Sequence, residues 1–205
     1  MAHRQGASDG RSNRAQVTRA KIVSAATHLF GTRGVSASSM DDIAAAAGIA
    51  KGSIYNSFGS KDELVAQLIR EENAALDERL REDARDRSGA AERRAIVAGL
   101  LQAIAEMPDT TRFIVSELFR TSRDWADATQ DWRAVTAGPL ERSLRTEFPH
   151  LDAEQASVQA AGILGATLVA ALDWLVNHPE RSYETVLTGI LTVTGLTAAP
   201  RSEPA

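Results

Sequence analysis

Apolar positions recur with a helical period along nearly the whole chain. Ile22, Val23, Ala26, Leu29 and Phe30 fall on one stripe, closed by Gly31 and Gly34. A short helix is predicted from Met40 to Ala47, with Ser39 as its cap, Asp42 in its first turn and Gly48 at its end. A third helix follows from Lys51 to Phe58. Ser60-Lys61-Asp62-Glu63 then reads as a capping box, Glu63 reaching back to Ser60, and opens a long helix through Leu64, Leu68, Leu76 and Leu80. Further helices are predicted around Ile96–Ile104, over Thr111–Ser122, from Trp125, from Asp152 to Asn177 and from Tyr183 to Leu196. Pro108 should stop the first of these, and Gly138-Pro139 should break or kink the one from Trp125. No segment alternates with a period of two, so the chain reads as all-α.

Composition agrees with a soluble globular protein: 205 residues, 43% apolar, 24% charged. The absence of cysteine excludes disulfides, thiolate zinc sites, iron–sulfur clusters and cysteine nucleophiles. The uncharged run Gln155–Leu172 contains Gln155, Ser157, Gln159 and Thr167, which makes it a poor membrane span, and a cytoplasmic protein with no membrane contact is expected. The net charge of −4 divides unevenly: +3 up to Leu64 and −7 beyond it. A basic head on an acidic body suits a nucleic-acid binder. Residues 1–15 are expected to be a disordered basic arm, residues 16–62 the head, 63–198 the body and 199–205 a polar tail.

The helices at 40–47 and 51–58 flank the tight turn Gly48-Ile49-Ala50. This is the arithmetic of a helix-turn-helix, whose second helix enters the major groove of DNA. Gly48 accepts a left-handed backbone, and Ile43, Ala44, Ala47, Ile49 and Ile54 can pack the two helices together. Gly52 removes a side chain where a helix start must approach DNA. Lys51 suits a phosphate or guanine edge, Ser53 and Asn56 suit base edges or phosphate, and Tyr55 offers its hydroxyl to phosphate or packs on the first helix. Lys61 sits at a helix start, where backbone N–H groups also attract phosphate. Solvated lysines fit the spacing of Lys51 and Lys61 as well.

Over residues 19–64 the chain resembles the DNA-binding domain of the TetR/AcrR family of bacterial transcriptional regulators. The resemblance rests on Ala25-Ala26, Leu29-Phe30, Gly34, Ser38-Ser39-Met40, Ile43-Ala44, Ala47-Gly48-Ile49, Gly52-Ser53-Ile54-Tyr55, Phe58 and Ser60 to Leu64. It implies a three-helix head on a larger helical ligand-binding and dimerisation body. It also implies DNA contacts from Ser39, Lys51, Gly52, Ser53, Tyr55, Asn56, Ser57 and Lys61. Ser57 departs from the pattern, because the family usually carries His or Tyr there, so a contact made by that ring is lost or replaced.

The reading is a ligand-responsive repressor that binds a palindromic operator in double-stranded DNA as a homodimer. An effector pocket is expected from Leu100, Ile104, Met107, Phe113, Glu117, Trp125, Trp132 and Leu168, positions that equally suit plain core packing. The helix over 156–176 has no polar face and should be buried nearly all round. A dimer seam is expected from Leu164, Leu168, Leu175, Val186, Ile190 and Val193. The rival is an all-helical enzyme with a degenerate helix-turn-helix. Against it, His3, His28, His150 and His178 share no metal-ligand spacing, and no nucleophile elbow or phosphate loop occurs, so no cofactor or metal is expected.

Overall fold

A computed structural model describes residues 6–118 and 126–197. Their helices are α1 (Gly6–Arg33), α2 (Met40–Ala46), α3 (Lys51–Ser57), α4 (Lys61–Ala84), α5 (Gly89–Glu106), α6 (Pro108–Leu118), α7 (Ala126–Glu147), α8 (Ala153–Asn177) and α9 (Tyr183–Val193). The described residues contain no strand. Residues 6–15, expected in a disordered arm, instead continue α1 toward the N-terminus. α7 runs through Pro139 without interruption, so the expected break is absent.

The chain divides into two compact units. The first holds α1, α2, α3, α4 as far as Glu71, and α6; the second holds the rest of α4, α5, α7 from Gln130, α8 and α9.

In the first unit the stripe of α1 builds the core. Ile22, Ala26, Leu29 and Phe30 are buried together with Met40, Ile43, Ala44, Ile54, Phe58, Leu64, Val65, Leu68 and Ile69. α6 completes this core, a placement the sequence pattern does not predict. The Phe113 ring lies 5.4 Å from that of Phe30 and is fully buried. Removing a ring of this size from water contributes about 1.5–3 kcal/mol. Pro108 occupies the first position of α6, where its missing N–H costs nothing. α6 comes so close to α1 that a Cβ on Gly31 would sit 2.5 Å from the Asp109 carbonyl oxygen. His28 Nδ1 meets Asp109 Oδ2 at 2.9 Å beside this contact.

In the second unit Ile96, Val97, Leu100, Leu101 and Ile104 of α5 form a buried face, with Trp132, Leu140 and Leu144 of α7 and Ala156, Ala160, Ile163 and Leu164 of α8 also buried. Arg93 is buried and reaches α7, donating to Glu147 Oε2 at 2.7 Å and Ser143 Oγ at 3.2 Å. Asp152 and Gln155 cap α8 reciprocally, and Tyr183 Oη of α9 donates to the Ala98 carbonyl of α5 at 3.0 Å.

α8 is long and apolar enough to cross a membrane by length and composition. Its inner face, Ala156, Ala160, Ile163, Leu164, Thr167 and Ala171, is core. Contrary to expectation it is not buried all round: Val158, Val169 and Val176 are 68%, 67% and 61% exposed.

Candidate nucleic-acid interface

The turn between α2 and α3 follows from local chemistry. Ser39 Oγ accepts the Asp42 N–H at 3.1 Å, and the Asp42 carboxylate accepts the Ser39 N–H at 2.9 Å, the reciprocal cap of α2. The Ser39 hydroxyl also donates to Asp42 at 2.6 Å. These bonds from Ser39 hold the Asp42 carboxyl below the ordinary aspartate range. At the other end Gly48 takes φ +64°, which lets the Ile49 N–H reach the Ala44 carbonyl at 3.0 Å and satisfies a helix-end acceptor.

α3 presents two faces. Ile54 is buried against the head core, whereas Lys51, Gly52, Tyr55 and Asn56 are exposed and Ser53 is half-exposed. Positions 51, 52, 55 and 56 lie on one side of a helix by spacing. Tyr55 is 51% exposed, so it belongs to this outer face rather than to the core of α1. A Cβ on Gly52 would meet nothing within 4 Å. Glycine there relieves no crowding inside the protein, and its bare backbone leaves room for a neighbour outside it. Ser57 is half-buried and donates to the Ser53 carbonyl of its own helix at 2.9 Å.

Lys51 Nζ forms an ion pair with Asp41 Oδ2, and the hydrogen bond to that carboxylate raises the ammonium above the usual lysine range. Lys61, the other expected phosphate ligand, also makes contacts inside the head. Its ammonium is half-buried and donates to the carbonyls of Val35 at 3.0 Å and Ser38 at 3.2 Å, so it ties the α1–α2 connection to the start of α4. Ser60 accepts the Glu63 N–H at 3.0 Å, while Glu63 reaches back to the Gly59 N–H, one residue beyond the expected Ser60. Two residues that make positioning contacts, Arg19 and Asp41, escaped the sequence pattern. Arg19 lies 4.6 Å over the Phe58 ring and pairs with Glu71 at 2.7 Å, and Asp41 pairs with Lys51; neither spacing has a local signature.

The expected pocket residues are divided between the two units. Leu100, Ile104 and Trp132 are core of the second unit, Leu168 is half-buried and Met107 is 40% exposed. Phe113 and Glu117 belong to the first unit, and Trp125 lies outside the described residues. A groove of about 570 Å³ in the second unit is lined by Arg79, Arg87, Ala91, Arg94, Ala98, Tyr183 and Leu187, among others. Of the expected dimer seam, Leu164, Val186 and Ile190 are used up inside the second unit, Leu168 and Leu175 are half-buried, and Val193 is 74% exposed.

A capped two-helix unit with a tight glycine turn and a polar outer face on its second helix defines a helix-turn-helix protein. Residues 22–68 match the family described as "Bacterial regulatory proteins, tetR family". The regulator TtgR of Pseudomonas putida is 47% identical over 55 residues, 27% of this chain and 26% of its own length. The repressor KstR2 of Mycobacterium tuberculosis is 42% identical over 52 residues, 25% of this chain and 26% of its own length. The chain thus spans about a quarter of the length of these curated relatives. The regulator FadR of Bacillus subtilis, solved in complex with stearoyl-CoA, shares the fold with a TM-score of 0.73 at 18% identity, covering 86% of this chain and 97% of that one. The likeness to the tetR family thus lies in residues 22–68, and the likeness to FadR is one of fold.

Proposed function

We propose that this protein is a ligand-responsive transcriptional regulator, most simply a repressor, that binds an operator as a homodimer in the cytoplasm and has no catalytic role. The observation that carries the DNA reading is the exposed face of α3, where Lys51, Ser53, Tyr55 and Asn56 surround a glycine whose missing Cβ faces open space. Groups of this kind serve phosphate and base edges. The relatives that match the head are named as regulators or repressors.

A different observation supports the homodimer. Val158, Gly162, Gly165, Val169, Leu172 and Val176 recur along α8 at alternating steps of four and three residues, the spacing of a helix–helix seam, and every one is exposed or half-exposed. Gly189 and Val193 of α9 are exposed as well. An apolar stripe with two glycines along it suits a second copy of the same helix, as a two-fold interface requires. This stripe replaces Leu164, Val186 and Ile190 as the proposed seam.

An effector is proposed because α4 supplies residues to both units, so a ligand in the second that prefers one arrangement of α4 changes the DNA affinity of the first. The complex of FadR with stearoyl-CoA supports a small-molecule effector by analogy of fold.

The test is selection of duplexes from a random pool, followed by titration. Affinity should fall steeply with salt as phosphate contacts release counterions. Ser53→Ala and Asn56→Ala should alter the selected sequence. A protein that enriches no duplex refutes the reading.

A further inference from the structure

Lys51 opens α3 and Asp41 lies in the first turn of α2, ten positions earlier; the glycine turn folds them together. Both side chains are open to solvent, 68% and 47% exposed. Asp41 is not needed to cap α2, because the reciprocal bonds with Ser39 belong to Asp42. Among the described residues no other ion pair involves Lys51 or Asp41.

This pairing has a cost for DNA binding. For Lys51 to reach a phosphate or a guanine edge, its ammonium must leave the Asp41 carboxylate. The uncovered carboxylate then lies within a Debye length, about 10 Å at 0.1 M salt, of any backbone that Lys51 touches. Both effects oppose association with any duplex. We propose that Asp41 is an intramolecular competitor of DNA for Lys51 and so sets the affinity of the head. The inference rests on the DNA-binding reading above and adds a residue that no contact with DNA would reveal. Affinity is held down on every sequence, genomic background included, by a pair that is weak because it is exposed.

The test is a double-mutant cycle on the full chain with Asp41→Asn, Lys51→Met and the double variant. The probe is a fluorescent duplex that the wild-type protein has itself selected from a random pool, and binding is read by anisotropy. Asp41→Asn should tighten binding about two- to fivefold at low salt, the range of one exposed ion pair. That gain should shrink as salt rises. Lys51→Met should weaken binding, and in its presence Asp41→Asn should retain less than half of its effect on a logarithmic scale. Asp41→Asn that leaves affinity unchanged, or that tightens binding equally in the Lys51→Met background, overturns the competition. A wild-type protein that selects no duplex overturns the DNA-binding reading itself, and the competition with it. Thermal midpoints of the four proteins confirm that each is folded.

Discussion

Replacing Lys61 with Met separates two roles that the sequence alone leaves joined. Methionine keeps most of the stem and deletes the ammonium. Two hydrogen bonds disappear, to Val35 O at 3.0 Å and Ser38 O at 3.2 Å. A bond from a charged donor is worth ~1.5–3 kcal/mol when well buried, and half-exposure reduces that because water can take over a freed carbonyl. The pair together should therefore stabilise the head by about 2 kcal/mol. In a chain of this size each kcal/mol moves the thermal midpoint by roughly 2–4 °C, so Lys61→Met should lower it by about 4–8 °C. Circular dichroism at 222 nm follows the transition, and anisotropy on a selected duplex is measured well below the new midpoint. There the affinity should stay within about threefold of wild type, because two of the three N–H donors of the ammonium are committed to carbonyls inside the head. An unchanged midpoint with a tenfold loss of affinity would refute the reasoning and return Lys61 to the phosphate backbone.

Further outcomes follow from other contacts. Gly31→Ala should destabilise the protein by about 1–3 kcal/mol in urea titration, because the new Cβ would lie 2.5 Å from the Asp109 carbonyl oxygen and backbone must move. Val169→Glu in the exposed stripe of α8 should give a monomer by sedimentation at micromolar concentration with helical content retained; a persistent dimer would move the interface elsewhere. Tyr183→Phe should cost about 1 kcal/mol through loss of the bond to the Ala98 carbonyl, again read by urea titration. The Asp42 carboxyl is lowered by Ser39, so its stabilising effect is complete above the ordinary value of 3.8 and is lost as pH falls through the lower folded-state value. Asp42→Asn should accordingly flatten the acid side of the stability profile below that pH.

What was legible in the sequence is what is local. The cap Ser39–Asp42, the left-handed Gly48 and the outward face of α3 all depend on residues within a few positions of one another. The rest depends on long-range meetings. Nothing near Lys61 in the sequence announces the bonds of its ammonium to the carbonyls of Val35 and Ser38, more than twenty residues earlier. Phe113 carries no mark that distinguishes packing on Phe30 from lining a cavity in the body. The apolar circumference of α8 is plain in the sequence, but periodicity does not tell which side the same chain covers, so it neither singles out Val169 as exposed nor assigns Leu164 to the core. The helix through Pro139 shows the limit of a local rule: one lost donor does not end a helix with well-packed turns on both sides.

The membership of α6 in the first unit has a consequence for recombination between such proteins. The stretch 22–68 looks like a portable cassette, continuous in sequence and recognisable by itself. Physically it is an open shell, since Phe30 and Gly31 are covered by Phe113 and Asp109, contributed from some eighty residues downstream. A chimera that grafts this segment onto a foreign body inherits that body's version of α6. Unless the newcomer brings an aromatic ring opposite Phe30 and a backbone able to lie against Gly31, the graft opens a gap or forces a clash at the heart of the head. Exchange of sequence specificity between relatives is therefore expected to succeed when α6 travels with α1, α2 and α3, and to yield poorly folded hybrids when the junction is cut after the last residue of the recognisable segment.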